Sequence, residues 1–199
     1  MSFSDFKTLS QVQQAYQIHY QESPFIPKQK AILSPVFVED LTFNINQLDV
    51  FSSEAARCEL IILPVLREVY KKFAAQFSLW VQKPMNYTPE LSGTPDYMVS
   101  KRSHLGKTVL EFPLLMLVEA KKNDFEQGWA QCLAELWAAQ HLNQQPDLAV
   151  YGIVSDGKYW EFGQLQQQRF IKNSESFSID DLPELVAALD FIFGQACYA

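Results

Sequence analysis

Two stretches of the sequence decide the fold: Gly93-Thr-Pro-Asp-Tyr-Met-Val-Ser100 and Leu114-Leu-Met-Leu-Val-Glu-Ala-Lys121. The second is an apolar run of strand length that ends in a carboxylate and an ammonium group two residues apart. Positions i and i+2 of a strand face the same side of a sheet. We therefore expect Glu119 and Lys121 to project together, and Ala120 to face the opposite way.

Asp96 lies in the first stretch, within an extended segment that predicts another strand. If the two strands are neighbours, its carboxylate meets Glu119 and Lys121. Two carboxylates beside one amine form a site for a hard cation, with a charged group placed to orient or deprotonate a water. The alternatives are a strand end entering solvent for Glu119 and Lys121, and a plain turn residue for Asp96.

The order of Pro95-Asp96 and then Glu119-Ala120-Lys121 resembles the PD-(D/E)XK nuclease superfamily. The resemblance implies an α/β fold, the restriction-endonuclease-like sandwich, with a central mixed β-sheet flanked by helices in the core order αβββαβ. It also implies a Mg²⁺- or Mn²⁺-dependent phosphodiester hydrolase, a DNA endonuclease or exonuclease. Asp96 and Glu119 would then hold the metal, and Lys121 would position the water or support the transition state.

Two residues outside this motif extend the resemblance. Glu54 opens a helix similar to the first helix of the nuclease domains at the front of type I restriction motor subunits. It is then a further candidate metal ligand, although an acidic residue is also favoured there by the helix dipole. Gln131 lies ten residues after Lys121, as in the RecB-like branch, and would hold Lys121 or the scissile phosphate. Glu135 stands where that branch usually has Tyr.

The composition limits the classes of protein to which the chain is expected to belong. With 199 residues, 48% of them hydrophobic and 14% aromatic, the chain predicts one globular core rather than two domains or a disordered protein. The longest apolar run is far shorter than a membrane span, and the polar N-terminus predicts no signal peptide. Three widely spaced cysteines show no metal-site spacing, and Cys58 and Cys132 are expected to be buried thiols. We expect no membrane partner and a cytoplasmic location.

Charge gives a mixed indication about nucleic acid. The net charge of −7 argues against general affinity for phosphates. Between Asp96 and Lys122, however, basic residues outnumber acidic ones. The candidate nucleic-acid contacts are Lys101, Arg102, Lys107 and Lys122, with a second basic cluster at Lys71, Lys72 and Lys83. Solvated loops and helix ends are the alternative for both groups.

The chain divides into two regions. Residues 1–50 predict an N-terminal helix followed by a proline-broken, extended connector that packs on the core. Residues 51–199 predict the nuclease-like domain, whose first helix is expected to kink at Pro64 and whose last helix is acidic. Between them the pattern predicts three strands, a helix over 125–142, and two strands joined by a hairpin at residues 155–158.

No segment is left for a separate sequence-reading domain. Selection of a target, DNA or RNA, would then require a homodimer or a partner protein. The alternative function is a non-catalytic protein-interaction module that retains the nuclease fold, which the acidic balance favours. A metal-dependent hydrolase of small phosphoesters is a further possibility that the residue types leave open.

Overall fold

A mixed eight-stranded sheet lies at the centre of the computed structural model, which describes residues 2–122 and 124–197. The helices and strands follow in chain order: α1 (Leu9–Tyr16), β1 (His19–Glu22), α2 (Pro35–Gln47), α3 (Glu54–Arg57), α4 (Leu63–Phe73), β2 (Phe77–Val81), β3 (Met85–Asn86), β4 (Ser92–Gly93), β5 (Tyr97–Arg102), β6 (Leu110–Ala120), α5 (Phe125–Asn143), β7 (Val150–Ser155), β8 (Tyr159–Gln166), β9 (Arg169–Lys172), β10 (Phe177–Ser178) and α6 (Leu182–Ala196).

The strand order is β1-β9-β8-β7-β6-β5-β2, with β10 paired to β8. Two pairs are parallel, β6 with β7 and β1 with β9, and the others are antiparallel. Helix α5 connects β6 to β7, so the carboxyl ends of these two strands meet at one edge of the sheet. Strands β3 and β4 form a separate small hairpin. The predicted α/β class with a mixed sheet flanked by helices is confirmed.

Apolar cores lie on both faces of the sheet. One face packs against α4 and α6 and includes Val118 and Ala120. The other packs against α5 and includes Leu117 and Val154. Because α5 also contacts α1 and the turn at Phe3–Asp5, it is buried on most of its surface. A polar side chain on α5 that lacks a hydrogen-bond partner therefore lowers the stability of the fold.

The prediction of an extended connector up to residue 50 is wrong for part of its length. Residues 35–47 form α2, and Pro35 occupies its first turn, where a missing backbone N–H costs nothing. The proline thus starts a helix instead of preventing one. The earlier part of this region also supplies β1, whose four residues pair with β9 at the edge of the main sheet.

The helix predicted from residue 53 onward contains a wider turn just before Pro64. Residues Cys58–Ile62 form a π-helical turn between α3 and α4. Pro64 has no N–H to donate to Leu60, and the Asn44 side chain supplies that donor from α2, with Nδ2 3.0 Å from the Leu60 oxygen. The Tyr97 hydroxyl donates to the Cys58 carbonyl at 3.0 Å. The wide turn therefore keeps its freed carbonyl groups bonded.

The hairpin between β7 and β8 is confirmed, with Gly157 at a φ of 86° in its turn. Cys58 and Cys132 are buried free thiols, as predicted, and Cys197 is exposed. None of the helices in the described ranges is long and apolar enough to cross a membrane.

Candidate functional site

The paired ends of β5 and β6 bring Asp96 to Glu119. Tyr97 lies opposite Val118 in the antiparallel register, so the residue before Tyr97 sits beside the end of β6. The backbone N–H of Ala120 donates to Asp96 Oδ2 at 2.8 Å and fixes this carboxylate. Ala120 itself packs into the core on the α4 and α6 face. The predicted neighbouring of the two strands is therefore confirmed.

Glu119 and Lys121 lie together on the opposite face, beneath α5. Lys121 Nζ is 3.2 Å from Glu119 Oε2, and the Glu119 side chain is only 1% exposed. Within the described ranges neither Glu119 oxygen accepts a hydrogen bond of normal geometry, which leaves the lysine as the charged neighbour of an otherwise unsatisfied carboxylate. The Lys121 backbone N–H donates to the Ser155 carbonyl at 2.9 Å and anchors the base of its side chain.

Burial and mutual repulsion disturb the protonation of these groups. Desolvation and the charge of Asp96 raise the pKa of Glu119, Lys121 opposes both, and the net result is a pKa of about 7. Desolvation also raises the pKa of Asp96, whereas the bond from Ala120 and the charge of Lys121 lower it. Burial alone would lower the pKa of Lys121, but the negative charge of Glu119, Glu54 and Asp96 holds it above its ordinary value. The cluster thus carries excess negative charge that a cation would stabilise.

Glu135 belongs to the site, although the sequence analysis gave it no role. This α5 side chain is fully buried, and its pKa is raised well above the usual range by desolvation and by Glu119. Gln131 donates from Nε2 to Glu135 Oε1 at 3.3 Å. Gln131 therefore reaches the site through Glu135, and among the described residues it makes no hydrogen bond to Lys121. A weak signal was present in the sequence, since Glu135 lies four residues after Gln131 and is flanked by the apolar residues Ala134 and Leu136.

Glu54 stands at the solvent-facing entrance of the site. It begins α3, with the N-cap Ser53 accepting a hydrogen bond from Ala56 N–H at 3.0 Å. Glu54 and Asp96 line one cavity of about 230 Å³, together with Cys58 and Tyr97. The Glu54 side chain is exposed rather than part of the core-facing stripe of its helix. It lies close enough to raise the pKa of Asp96 by its charge.

The donor set fits a magnesium ion in its chemistry. Mg²⁺ is usually held by one or two carboxylates, with waters and substrate phosphates completing its shell. Asp96 and Glu119 are such a pair, and apart from the ion pair with Lys121 the buried oxygens of Glu119 accept no hydrogen bond among the described residues. Among the described residues no cluster of three or more His, Cys, Asp or Glu side chains has the arrangement of a metal site. The described residues therefore contain no site in which protein side chains alone would surround a metal ion. The candidate is a site with two carboxylates, at which water or substrate would supply the other ligands.

The predicted nucleic-acid contacts are not brought together. Lys101 and Arg102 end β5 at the far edge of the sheet, about 17 Å from Asp96 at roughly 3.3 Å per residue. Lys107 follows in the next loop, also at that far edge. Lys122 alone of the four lies at the site, where Nζ donates to the Ser52 carbonyl at 3.2 Å.

The second basic cluster is divided in the same way. Lys71 pairs with Glu68 at 2.5 Å, and Lys72 pairs with Asp190 at 2.8 Å. Lys83 lies over the ring of Trp80, 4.4 Å from its centroid, just after β2. The Gln82 backbone N–H donates to the Asp96 carbonyl, so Lys83 is on the same edge of the sheet as the site. Of the predicted basic residues in the two groups, Lys83 and Lys122 are therefore the ones that lie at the same edge of the sheet as the carboxylates.

Comparison with known proteins identifies no relative from which a role for this protein could be inferred. No protein-family model matches the sequence, and no curated protein matches it. The resemblance to PD-(D/E)XK nucleases consequently rests on the motif residues and their arrangement at the sheet edge.

Proposed function

We propose that the protein is a metal-dependent phosphodiester hydrolase of the PD-(D/E)XK type, with a restriction-endonuclease-like fold and a nucleic acid as its substrate. The observation that supports this most is the convergence of Asp96, Glu119 and Lys121 at one sheet edge, with Glu119 buried and its oxygens unsatisfied. A charged, desolvated group with a specific partner in a cleft is typical of a functional site.

Each residue has a distinct part in this proposal. Asp96, held by Ala120 N–H, and Glu119 would hold Mg²⁺ or Mn²⁺, with Glu54 at the entrance as an outer carboxylate. Such an ion, when bound, lowers the pKa of a water and stabilises charge on phosphoryl oxygens. Lys121 remains charged because three carboxylates raise its pKa, so it can orient the attacking water or offset the charge of the phosphate. Gln131 donates to Glu135, and Glu135 lies beside Glu119 on the α5 side.

The experiment is cleavage of linear double-stranded, single-stranded and circular DNA, and of single-stranded RNA, in Mg²⁺, Mn²⁺ or EDTA. The variants are Asp96→Asn and Lys121→Met. The control is Lys30→Met, which removes a remote surface ion pair with Asp181. We expect metal-dependent cutting that falls by about 100-fold or more in both site variants and is unchanged in the control. Cutting that survives in EDTA or in Lys121→Met would refute the proposal.

A non-catalytic module is the second candidate, and one observation favours it. The Glu119 carboxylate is enclosed under α5, and in the described ranges no three-ligand metal cluster accompanies it. A scaffold of this kind would neither cut nucleic acid nor bind Mn²⁺ in calorimetric titration. Mn²⁺ binding that is lost in Asp96→Asn would exclude it.

A further inference from the structure

A cavity separate from the carboxylates lies at the carboxyl end of α5. Its volume is about 530 Å³, within the range of small-molecule sites. Trp137, His141 and Pro146 provide its apolar surfaces, and four glutamines provide the polar ones: Gln140, Gln144, Gln167 and Gln168. Gln140 follows Gln131 by nine helical positions, which separates the cavity from the candidate metal site by roughly 14 Å along α5.

The aromatic wall is rigidly packed. Trp137 stacks on Tyr16 of α1, with ring centroids 5.5 Å apart and planes inclined by 25°. The His141 ring lies 4.3 Å from Trp137, and the Tyr87 ring lies 5.3 Å from His141. Such a set of rings has little rotamer freedom left to lose when a flat ligand binds.

The polar groups of the wall include free hydrogen-bonding atoms. His141 Nδ1 is 2.8 Å from the Trp137 carbonyl, so the neutral ring carries its proton there and Nε2 is an acceptor. Gln140 is 2% exposed, and its Nε2 donates to the Pro146 carbonyl at 3.1 Å. Its Oε1 has no hydrogen-bond partner among the described residues. The side-chain amides of Gln144 and Gln168 are likewise without a partner in that part of the chain.

Two of the glutamines hold an unusual backbone conformation. Gln144, at the end of α5, has a φ of 55°, and Gln167, in the turn between β8 and β9, has a φ of 53°. Gln167 is fixed by its backbone bond to Pro146 and by its side-chain bond to Asp147. Strained non-glycine residues persist where the surroundings hold them, and they cluster at ligand sites.

The charge of the cavity defines the ligand class. No carboxylate, lysine or arginine lines it within the described ranges, and His141 directs Nδ1 at the Trp137 carbonyl, so a phosphate or carboxylate group would lack a strong cationic partner. A glutamine amide offers one donor and one acceptor side by side, which matches the edge of a nucleobase. The flat faces of Trp137 and His141 match its ring.

We propose that this cavity is a binding site for an uncharged nucleobase, as in a nucleoside or an unpaired nucleotide whose phosphates remain in solvent. The base stacks against Trp137 and His141 and is bonded at its edge by the amides of Gln144 and Gln168. This proposal does not depend on the metal chemistry, because every group it uses lies outside the carboxylate cluster.

The test is saturation-transfer NMR on the full chain in EDTA with adenosine, guanosine, cytidine and uridine, beside ribose and glucose. The variants are His141→Phe, which keeps the ring and removes the acceptor, and Gln144→Gly, which suits the positive φ and removes the amide. The control is Gln17→Gly, because Gln17 ends α1 with a similar φ of 56°. Thermal unfolding of each variant checks that the fold is retained.

We expect transfer mainly to base protons, a Kd on the order of 1 mM or lower for at least one nucleoside, and binding at least about fivefold weaker in both cavity variants. Gln17→Gly and the nuclease variant Lys121→Met should bind as the natural chain does. Three results would overturn the proposal: no transfer to any nucleoside, equal transfer in the cavity variants, or ribose and glucose binding as well as the nucleosides do.

Discussion

The Lys121 side chain crosses α5 at Gly128, and the space it occupies exists because that residue has no side chain. A Cβ atom at position 128 would lie 3.1 Å from Lys121 Cγ and 2.6 Å from Val154 Cγ1. Helix α5 thus approaches the sheet closely enough to cover Glu119 while the lysine passes beneath it.

Gly128→Ala is therefore expected to disturb the site without touching a charged group. Overpacking of this kind costs roughly 1–3 kcal/mol of stability. Displacement of the lysine should also lower the proposed nuclease activity under conditions in which the variant remains folded. The matched control is Gly194→Ala in α6, where an added Cβ meets nothing within 4 Å. That control should be neutral or stabilising by up to about 1 kcal/mol. Urea unfolding and DNA cleavage of both variants provide the measurement, and equal behaviour of the two would contradict the close approach.

Asn44→Ala removes the donor that stands in for the missing N–H of Pro64. The Leu60 carbonyl is then left without its partner, which is expected to cost roughly 1–3 kcal/mol. Asn46→Ala on the exposed side of the same helix is the control and should change the free energy of unfolding by less than about 0.5 kcal/mol. In a Pro64→Ala background the new N–H can serve Leu60, so the cost of Asn44→Ala should shrink. A cost that is the same in both backgrounds would show that Asn44 acts through other contacts.

Glu119 predicts a specific pH dependence of stability in EDTA. Its pKa is raised from 4.5 to about 7 in the folded protein, so the folded chain binds more protons than the unfolded chain between these values. The free energy of unfolding therefore decreases as pH rises through this window, by an amount on the order of 2 kcal/mol. Glu119→Gln should abolish activity, be more stable than the natural chain at pH 8, and lose that advantage near pH 5. Parallel profiles from pH 5 to pH 8 would contradict the burial of a charged Glu119.

Thiol reactivity tests the packing beside the site. Cys58 and Cys132 are buried, and burial together with the charge of Asp96 raises the pKa of Cys58 to about 12. We expect Ellman's reagent at pH 8 to label Cys197 within minutes, and the other two thiols only after denaturation. A Cys197→Ser variant should show no fast phase. Fast labelling of Cys58 in that variant would mean that the cavity shared by Glu54 and Asp96 opens to solvent.

The relative positions of Glu119 and Lys121 could be predicted from the sequence, because the alternation of side chains along a strand is a local property. Glu119, Ala120 and Lys121 follow an apolar run, and period two alone determines which face each side chain takes. Asp96 required one further assumption, that adjacent strands pair. Glu135 received no role because its importance comes from the burial of α5 on several sides, a property of the tertiary structure that its position in the sequence indicates only weakly.

The local structure at two prolines could not be inferred from the sequence, because proline can either begin a helix or interrupt one. It was interpreted as a helix breaker at Pro35 and as a kink at Pro64, yet the first begins α2 and the second follows a π turn stabilised from another helix. Strand β1 was missed because it is exposed along its whole length and gives no alternation. The distribution of the basic residues over opposite edges of the sheet likewise depends on strand direction and pairing.

The pairing of β1 with β9 has a consequence for biosynthesis. The Arg169 guanidinium donates to the Gln21 side chain across 148 positions of the chain. A ribosome makes a chain from the amino end at a limited rate, so β1 exists long before its partner strand does. Pairing at this long sequence separation requires the closure of a very large loop. The edge of the sheet must therefore be completed late, after the β6–α5–β7 unit that carries Glu119 and Glu135 has had time to form.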